Sequence, residues 1–367
     1  MVRRSAIFIV LVTILVLYGL VCMYSASSYE AIKEGLEASY YFKRQAVFAL
    51  LGLAASIVII VVPERLIRLF IIPLLALCLV LMLMTLFTSY GQTILGARRW
   101  LKLGPLPQFQ PSELVKLSTI LFLAWYFSKC PEKLRLRDYA ITVAAVGSFA
   151  LLILAQKDFS TSIIYLGTCL GMMMLGGFDL KWTGLIIGAS IVPLLLFIAL
   201  KPFRILRIAS FLFPDLDPSG INYQVTNAKA AISRGLFLGS GIGKGTGKLG
   251  SIPEVQSDFI FASIAEETGL LGIILICSAF LAFAFLGFSA SRRQLERNRF
   301  YSYMCYGFTF MVIFQAIVNI AVVTGLLPPT GIPLPFFSQG GTNLLVVIME
   351  SAMIAKVMRD SERGESL

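Results

Sequence analysis

The chain contains no histidine among its 367 residues. That absence excludes a Ser-His-Asp triad, a histidine general base and a histidine-ligated zinc site. Acid–base chemistry therefore falls to Asp, Glu, Lys or Tyr. Charge is scarce too: 14% of residues are charged, against roughly a quarter in a soluble domain. The six cysteines (Cys22, Cys78, Cys130, Cys169, Cys277, Cys305) stand singly, mostly inside apolar runs, with no C-x-x-C pair. They read as small buried hydrophobes. There is no internal repeat, heptad array or low-complexity tail. No hydrophilic stretch is long enough to fold alone, so a single transmembrane domain over residues 1–367 is expected.

Apolar residues are abundant, at 57% of the chain, and they are concentrated in long runs. A spanning helix needs about 20 largely apolar residues. Runs near 5–25, 45–62, 69–88, 113–128, 139–155, 161–177, 182–200, 260–288, 301–324 and 343–358 predict ten spans in an all-α, polytopic membrane protein. Arg3-Arg4 and the apolar run to about Met23 resemble a signal peptide, with Ser25-Ala26-Ser27-Ser28 mimicking a cleavage site. The number of later spans favours a retained first helix.

Ten spans put both termini on one side, and the short segments on that side hold dense Lys and Arg, including Arg65, Arg68, Arg135, Arg137, Arg292 and Arg293. The positive-inside rule makes that side cytoplasmic. The outer segments 26–44, 89–112, 201–258 and 325–342 are the chain's sizeable hydrophilic stretches. They are basic as well, through Arg98, Arg99, Lys102, Lys157, Lys201, Arg204, Arg207, Lys244 and Lys248. Cationic outer loops run against topology pressure, and anion binding on that face explains them most simply.

Five constellations could carry chemistry. Gly96-Ala97-Arg98-Arg99-Trp100 precedes Gln110-Pro111-Ser112-Glu113 and Lys116, where Pro111 opens a helix and Glu113 and Lys116 share a face. This reads either as a capped helix with a surface ion pair or as guanidinium and ammonium groups facing a phosphate. Asp158, in a polar break between spans, is a helix cap or a functional carboxylate. The long stretch 201–258 is expected to be a large outer loop. It carries Tyr223-Gln224 and then glycines alternating with Lys244 and Lys248. Gly245-x-Gly247-x-x-Gly250 matches a dinucleotide fingerprint in spacing, yet no βαβ unit surrounds it and the Walker spacing is absent. Neither nucleotide nor nucleic acid is expected to bind. Asp258 then stands where the chain re-enters the membrane, as a helix N-cap or a catalytic group, with Glu266 and Glu267 about two turns further in. Finally, the proline- and glycine-rich run 328–343, with Ser338, cannot continue a helix and reads as a lid, a re-entrant segment or a turn.

These five segments, in this order, resemble the SEDS family (shape, elongation, division and sporulation), which includes FtsW, RodA and SpoVE. The resemblance runs from Met23-Tyr24-Ser25-Ala26-Ser27 to the 335–343 segment. Its most specific element is Asp258-Phe259-Ile260-Phe261-Ala262 with Glu266-Glu267-x-Gly269. The resemblance implies the SEDS fold and a glycosyltransferase that polymerises lipid II on the outer face of the cytoplasmic membrane. It also implies a class B penicillin-binding protein as partner and Asp258 as the catalytic aspartate. Tyr223-Gln224 and Lys248-Leu-Gly-Ser-Ile-Pro-Glu resemble FtsW and SpoVE more than RodA, which implies a role in division alongside other divisome proteins. Two positions depart from the family pattern: Lys157-Asp158-Phe159-Ser160-Thr161 stands in place of Pro-Asp-Leu-Gly-Thr, and Gln339 in place of a tyrosine.

Under that reading Asp258 is the base. Arg98, Arg99, Lys116, Arg204, Arg207 and Lys244 are candidates for the pyrophosphate. Glu113, Asp158, Tyr223, Gln224, Glu267 and Ser338 are further candidates for binding substrate. Paired carboxylates leave room for a divalent cation, Mg or Mn, although no ligand set is evident. A lipid II transporter and a scaffold that recruits other enzymes are the readings from other classes.

Overall fold

The structure, a computed structural model, describes residues 3–94, 96–104, 107–131, 134–179, 181–185 and 221–364, with residues 188, 211 and 213. Its helices are α1 (Arg4–Lys33), α2 (Tyr40–Val61), α3 (Glu64–Phe87), α4 (Pro111–Lys129), α5 (Leu136–Ala155), α6 (Phe159–Leu175), α7 (Ile221–Gly235), α8 (Ile260–Gln294), α9 (Arg299–Val323) and α10 (Gly341–Gly364). Between α3 and α4 the strands β1 (Gly91–Ile94) and β2 (Ala97–Leu101) form an antiparallel hairpin.

Seven of the described helices, α1, α2, α3, α5, α8, α9 and α10, are long and apolar enough to cross a membrane. The expected count of ten is not reached by that measure. Helix α6 is apolar but has 17 residues, and α4 carries Ser112, Glu113, Lys116 and Ser118 in its first half. Most of the span expected at 182–200 lies outside the described residues, as do Lys201, Arg204 and Arg207. Helices α4, α9 and α10 form the interior, and the most apolar stretch of α10 is 83% buried. Helices α2 and α3 form the perimeter, with leucine, isoleucine and valine side chains turned outward. Outward apolar faces are stable where lipid is the solvent, provided each helix satisfies its own backbone.

The polar connections gather at one end of the bundle. Arg98 N–H donates to the Gln156 carbonyl (3.1 Å) and Gln339 N–H to the Gln256 carbonyl (2.8 Å), while Gln110 N–H donates to Thr342 Oγ1 (3.1 Å). The opposite end is laced by carboxylates and their donors: Lys356 with Asp360 (3.1 Å), Asn298 Nδ2 with Glu64 (2.8 Å) and the Ser5 hydroxyl with Glu362 (2.6 Å). The sequence Ser25-Ala26-Ser27-Ser28 lies inside α1, and Ser25 and Ser27 are buried.

The stretch expected as a long outer loop is ordered over its described part. Helix α7 spans 15 residues and is followed by a π-helical turn, Gly247–Ser251. Its sequence is too polar for a span, but Ala228 and Ala231 are fully buried on one face while Tyr223, Lys229 and Arg234 lie outward. That alternation makes a surface helix. Helix α8 breaks at Gly269 (φ +64°, ψ −160°). A Cβ at Gly269 would stand 2.4 Å from Gly239 N and 2.6 Å from the Phe237 carbonyl oxygen. Glycine is therefore required both for the dihedral and for the crossing chain.

Gly19 of α1 is in similar contact: an added Cβ would lie 2.2 Å from the Phe336 carbonyl oxygen. Gly19→Val is expected to lower the apparent melting temperature in detergent, with a loss of about 1–3 kcal/mol from overpacking. An unchanged melting temperature would mean that α1 does not pack on the 336–337 backbone.

Candidate functional site

The 328–343 segment forms the centre of the polar end. Four prolines, Pro328, Pro329, Pro333 and Pro335, prevent it from continuing α9. Leu334, Phe336 and Phe337 are nonetheless buried, so the segment is bound into the protein and is not a loose lid. Its backbone finds partners on the surrounding helices. Asn319 Nδ2 donates to the Ile332 carbonyl (2.7 Å) and to the Asp258 carbonyl (2.8 Å). Gln315 Nε2 donates to the Pro333 carbonyl (2.9 Å). Gln45 on α2 donates to the Ser338 carbonyl (3.0 Å) and accepts from Gly340 N–H (3.2 Å). The Ser338 hydroxyl accepts from Leu334 N–H (2.7 Å) and is buried, so it closes a turn rather than facing a substrate.

Asp258 stands beside this segment, half-buried, with its Oδ2 3.8 Å from where a Cβ on Gly331 would sit. It does not cap α8, whose N-cap is Phe259 with no side-chain cap bond. The N-cap alternative is thereby removed. On the preceding loop, burial and then the neighbouring Glu30 and Glu34 carboxylates push the Glu254 carboxyl above its usual range.

Glu113 and Lys116 form an ion pair at 3.0 Å, with side chains 5% and 3% exposed. It is a buried pair and not the surface pair of the first reading. Asn343 Nδ2 donates to Glu113 (2.7 Å), and Lys116 Nζ donates to Gln315 Oε1 (3.1 Å). Lys116 is thus held beneath the 328–343 segment and does not face a phosphate at the surface. One residue the sequence reading missed is Glu350. It lies two helical turns beyond Asn343 on α10, fully buried, and neither oxygen has a hydrogen-bond partner among the described residues. The charges that act on it are Lys116 and Glu113.

Asp158 results from a helix-ending motif. Lys157 N–H donates to the Leu154 carbonyl (2.9 Å) and Asp158 N–H to the Ile153 carbonyl (3.3 Å). These are the two bonds of a Schellman turn, with Lys157 at the left-handed position (φ +62°) where glycine is usual. The turn places Asp158 as N-cap of α6, accepting from Thr161 N–H (3.3 Å). Its buried carboxylate also accepts from Gln110 Nε2 (2.7 Å), Thr161 Oγ1 (2.8 Å) and Arg99 Nη1 (3.3 Å). With four donors its lone pairs are occupied, so it caps the helix and anchors Arg99 together. Arg98 turns the other way, and its Nη2 donates to the Thr88 carbonyl at the end of α3.

The glycine- and lysine-rich stretch has an anion, but an internal one. Gly247 N–H and the Thr246 hydroxyl donate to Glu266 (2.8 Å each), and Arg234 Nε pairs with Glu266 at 2.8 Å. Gly243 N–H donates to Glu267 (3.0 Å), Lys248 pairs with it at 2.6 Å and the Ser25 hydroxyl donates at 2.8 Å. The paired carboxylates Glu266 and Glu267, which left room for a divalent cation in the sequence, are already engaged by Arg234 and Lys248. No three acidic, cysteine or histidine residues cluster as a metal site among the described residues. Lys244 is exposed and forms no ion pair among them. Tyr223 is exposed on α7, and Gln224 reaches the Pro253 carbonyl at 3.5 Å.

The site residues thus divide into two groups. Asp258, Asp158 with Arg99, and Glu113 with Lys116 all border the 328–343 segment. Glu266, Glu267, Lys248 and Arg234 pin the chain after α7 to α1 and α8. The amides that organise the first group, Gln45, Gln315 and Asn319, were missed in the sequence because Gln45 borders an apolar run and Gln315 and Asn319 lie within one, with nothing to show what they meet. The one available signal was the four-residue spacing of Gln315 and Asn319, which puts two amides on one helix face.

Lys116→Met is expected to lower stability by about 3–5 kcal/mol by leaving Glu113 charged and alone. Lys116→Met with Glu113→Gln should recover much of that loss, as thermal unfolding of the purified variants would report. Lys157→Gly is expected to stabilise the protein by about 1 kcal/mol through relief of the left-handed backbone. A lower melting temperature in that variant would contradict the Schellman assignment.

The FtsW/RodA/SpoVE family, described as cell cycle protein, matches residues 5–363. A protein of Francisella salina named probable peptidoglycan glycosyltransferase FtsW is 31% identical, over 94% of this chain and 86% of its own. Proteins of the same name from Trichlorobacter lovleyi and Nitrosococcus halophilus are 32% and 35% identical, over 96% and 92% of this chain and 92% and 88% of theirs. Among solved structures, the Thermus thermophilus rod shape determining protein RodA is similar with a TM-score of 0.70 and 26% identity, covering 96% of both chains. A chain from a structure describing polymerization and crosslinking by a peptidoglycan synthase complex is similar with a TM-score of 0.77 and 28% identity, covering 96% of this chain and 97% of that one. With the match spanning nearly its whole length, the chain belongs to the FtsW/RodA/SpoVE family of membrane-embedded cell cycle proteins.

Proposed function

We propose that this chain is a peptidoglycan glycosyltransferase that polymerises lipid II at the outer face of the bacterial cytoplasmic membrane, in the septal wall synthesis of dividing cells. The observation that carries the reading is Asp258: a half-buried carboxylate beside Gly331, its backbone held by Asn319, at the polar end of an otherwise apolar bundle. The names of the relatives support the activity.

In the proposed reaction a sugar hydroxyl of one lipid-linked disaccharide attacks the anomeric carbon of another. The hydroxyl proton passes to the Asp258 carboxylate as the glycosidic bond forms. The bond from the anomeric carbon to the pyrophosphate oxygen breaks, and its electron pair leaves with the polyprenyl pyrophosphate. That group gains negative charge, which nearby cations stabilise. Arg99, anchored on Asp158, and the exposed Lys157 and Lys244 are the side chains assigned to it. Arg98 and Lys116 are not, because the Thr88 carbonyl and Glu113 already engage them. One displacement needs one base and inverts the anomeric centre.

The concentration of lysine and arginine at the end opposite Asp258 supports a cytoplasmic position for both termini. A class B penicillin-binding protein is the proposed partner, since a chain similar to this one comes from a complex that coordinates polymerization with crosslinking. One observation favours a second reading, a carrier that moves lipid-linked sugars. Glu350 is a buried carboxylate with no hydrogen-bond partner among the described residues, and such residues mark transport paths.

Purified protein with its partner is expected to convert lipid II into glycan strands, and Asp258→Asn to abolish this by at least about 100-fold while its melting temperature is retained. Equal rates in both would remove Asp258 from the chemistry. Movement of lipid II across vesicles without polymer would establish the carrier.

A further inference from the structure

Helices α1 and α2 form a hairpin in which α2 packs closely on α10 and α1 less extensively. Between the three helices runs an apolar groove of about 390 Å³. On α2 it extends from Ala46 to Ile60, about 21 Å at the helical rise of 1.5 Å per residue. Small side chains create it: Ala46 and Ala49 on α2 face the groove, as do Ala352 and Ala355 on α10. A space this long, narrow and apolar has the shape of an extended hydrocarbon chain.

The two ends of the groove differ. At the end near Asp258, the rings of Tyr24 on α1 and Phe42 on α2 meet edge to face, with centroids 5.6 Å apart, and bridge the hairpin. At the far end the two legs are tied to α10 separately. Ser5 N–H and its hydroxyl donate to Glu362 (3.0 and 2.6 Å), and Arg359 Nη2 donates to the Ile60 carbonyl (2.6 Å). Arg359 continues the groove-facing row Ile348, Ala352, Ala355 by helical spacing. Its side chain is 24% exposed, and its Nε has no acceptor among the described residues. Lys356 lies one turn away on α10. Against these two cations stands one carboxylate, Asp360, paired with both, while Glu362, engaged by Ser5, lies with Arg4 on the side of α10 that faces α8. The foot of the groove is therefore cationic, and it lies at the basic end of the bundle.

We propose that the groove holds one acyl chain of an anionic phospholipid from the leaflet at that basic end, with the lipid phosphate received by Arg359. A guanidinium fork suits phosphate oxygens, and anionic headgroups collect at basic membrane-proximal segments. The Tyr24–Phe42 bridge at the other end argues against a lipid whose phosphate lies beside Asp258. A lipid in this place completes the packing of the α1–α2 hairpin on α10 and stabilises the folded protein by mass action.

The test is independent of catalysis. Delipidated full-length protein in detergent is titrated with phosphatidylglycerol or phosphatidylethanolamine, and lipid-dependent shifts in melting temperature are measured alongside bound lipid by native mass spectrometry. Phosphatidylglycerol is expected to raise the melting temperature and to remain bound, with an apparent affinity roughly tenfold above phosphatidylethanolamine, equivalent to about 1.4 kcal/mol. Arg359→Gln should remove the preference between headgroups. Ala352→Phe, which fills the groove, should remove the shift for both lipids, whatever its own starting melting temperature. Equal shifts from both lipids in the wild type would overturn the proposal, as would an undiminished shift in Ala352→Phe. A polyprenyl pyrophosphate that displaces phosphatidylglycerol from the wild type and fails to bind Ala352→Phe would assign the groove to a different lipid and also refute it.

Discussion

The architecture depends on burying non-helical backbone inside a lipid-facing bundle. The 328–340 stretch, rich in proline, cannot form a helix, and each carbonyl it buries needs a donor that lipid cannot provide. Gln315 and Asn319 supply two donors from α9, and Gln45 supplies a third from α2. Because Asn319 also holds the Asp258 carbonyl, the same amide that stabilises the segment positions the carboxylate beside it. Through Gln315 the network continues to Lys116, Glu113 and Asn343, so one connected set of side chains links α4, α8, α9 and α10.

A second set of charges does structural work of a different kind. Glu266 and Glu267 sit just before the break at Gly269 and accept from backbone N–H groups, Arg234, Lys248 and Ser25. The carboxylates fold the glycine-rich chain around themselves much as a bound anion would, with the dihedrals that Gly239, Gly241 and Gly243 allow. This holds the chain that leads into Asp258 against α1. The consequence for chemistry is that Lys248 and Arg234 are paired within the protein, while Lys102, Lys157, Lys229 and Lys244 stand exposed at this end.

Much of the site was legible from residue type alone. Asp258, Asp158, Arg99, Glu113 and Lys116 stood out as ionisable residues in an apolar chain, and all of them border the 328–343 segment. Their roles were less legible. Asp158 caps α6 and also anchors Arg99, where the sequence offered a helix cap or a functional carboxylate. Ser338 and Arg98 satisfy backbone groups. Helix α7 was missed because the search for spans demands apolar length, while a surface helix needs only a narrow apolar face. The amides were missed because one polar residue in an apolar run carries no sign of what it will meet.

The sequence by itself determined that the chain is an all-helical membrane protein, that its polar residues fall into two sets at alternate ends of the apolar runs, and that it belongs to its family. Hydropathy and charge act locally, so each run and each loop declares its solvent without reference to the others. Only the tertiary structure decided which charges pair with one another, that Lys116 is buried and Lys244 is not, and that Glu350 has no hydrogen-bond partner among the described residues. Those outcomes depend on residues such as Ser25 and Glu267, or Asn343 and Glu113, meeting across more than two hundred positions of sequence. Packing alone brings such residues together.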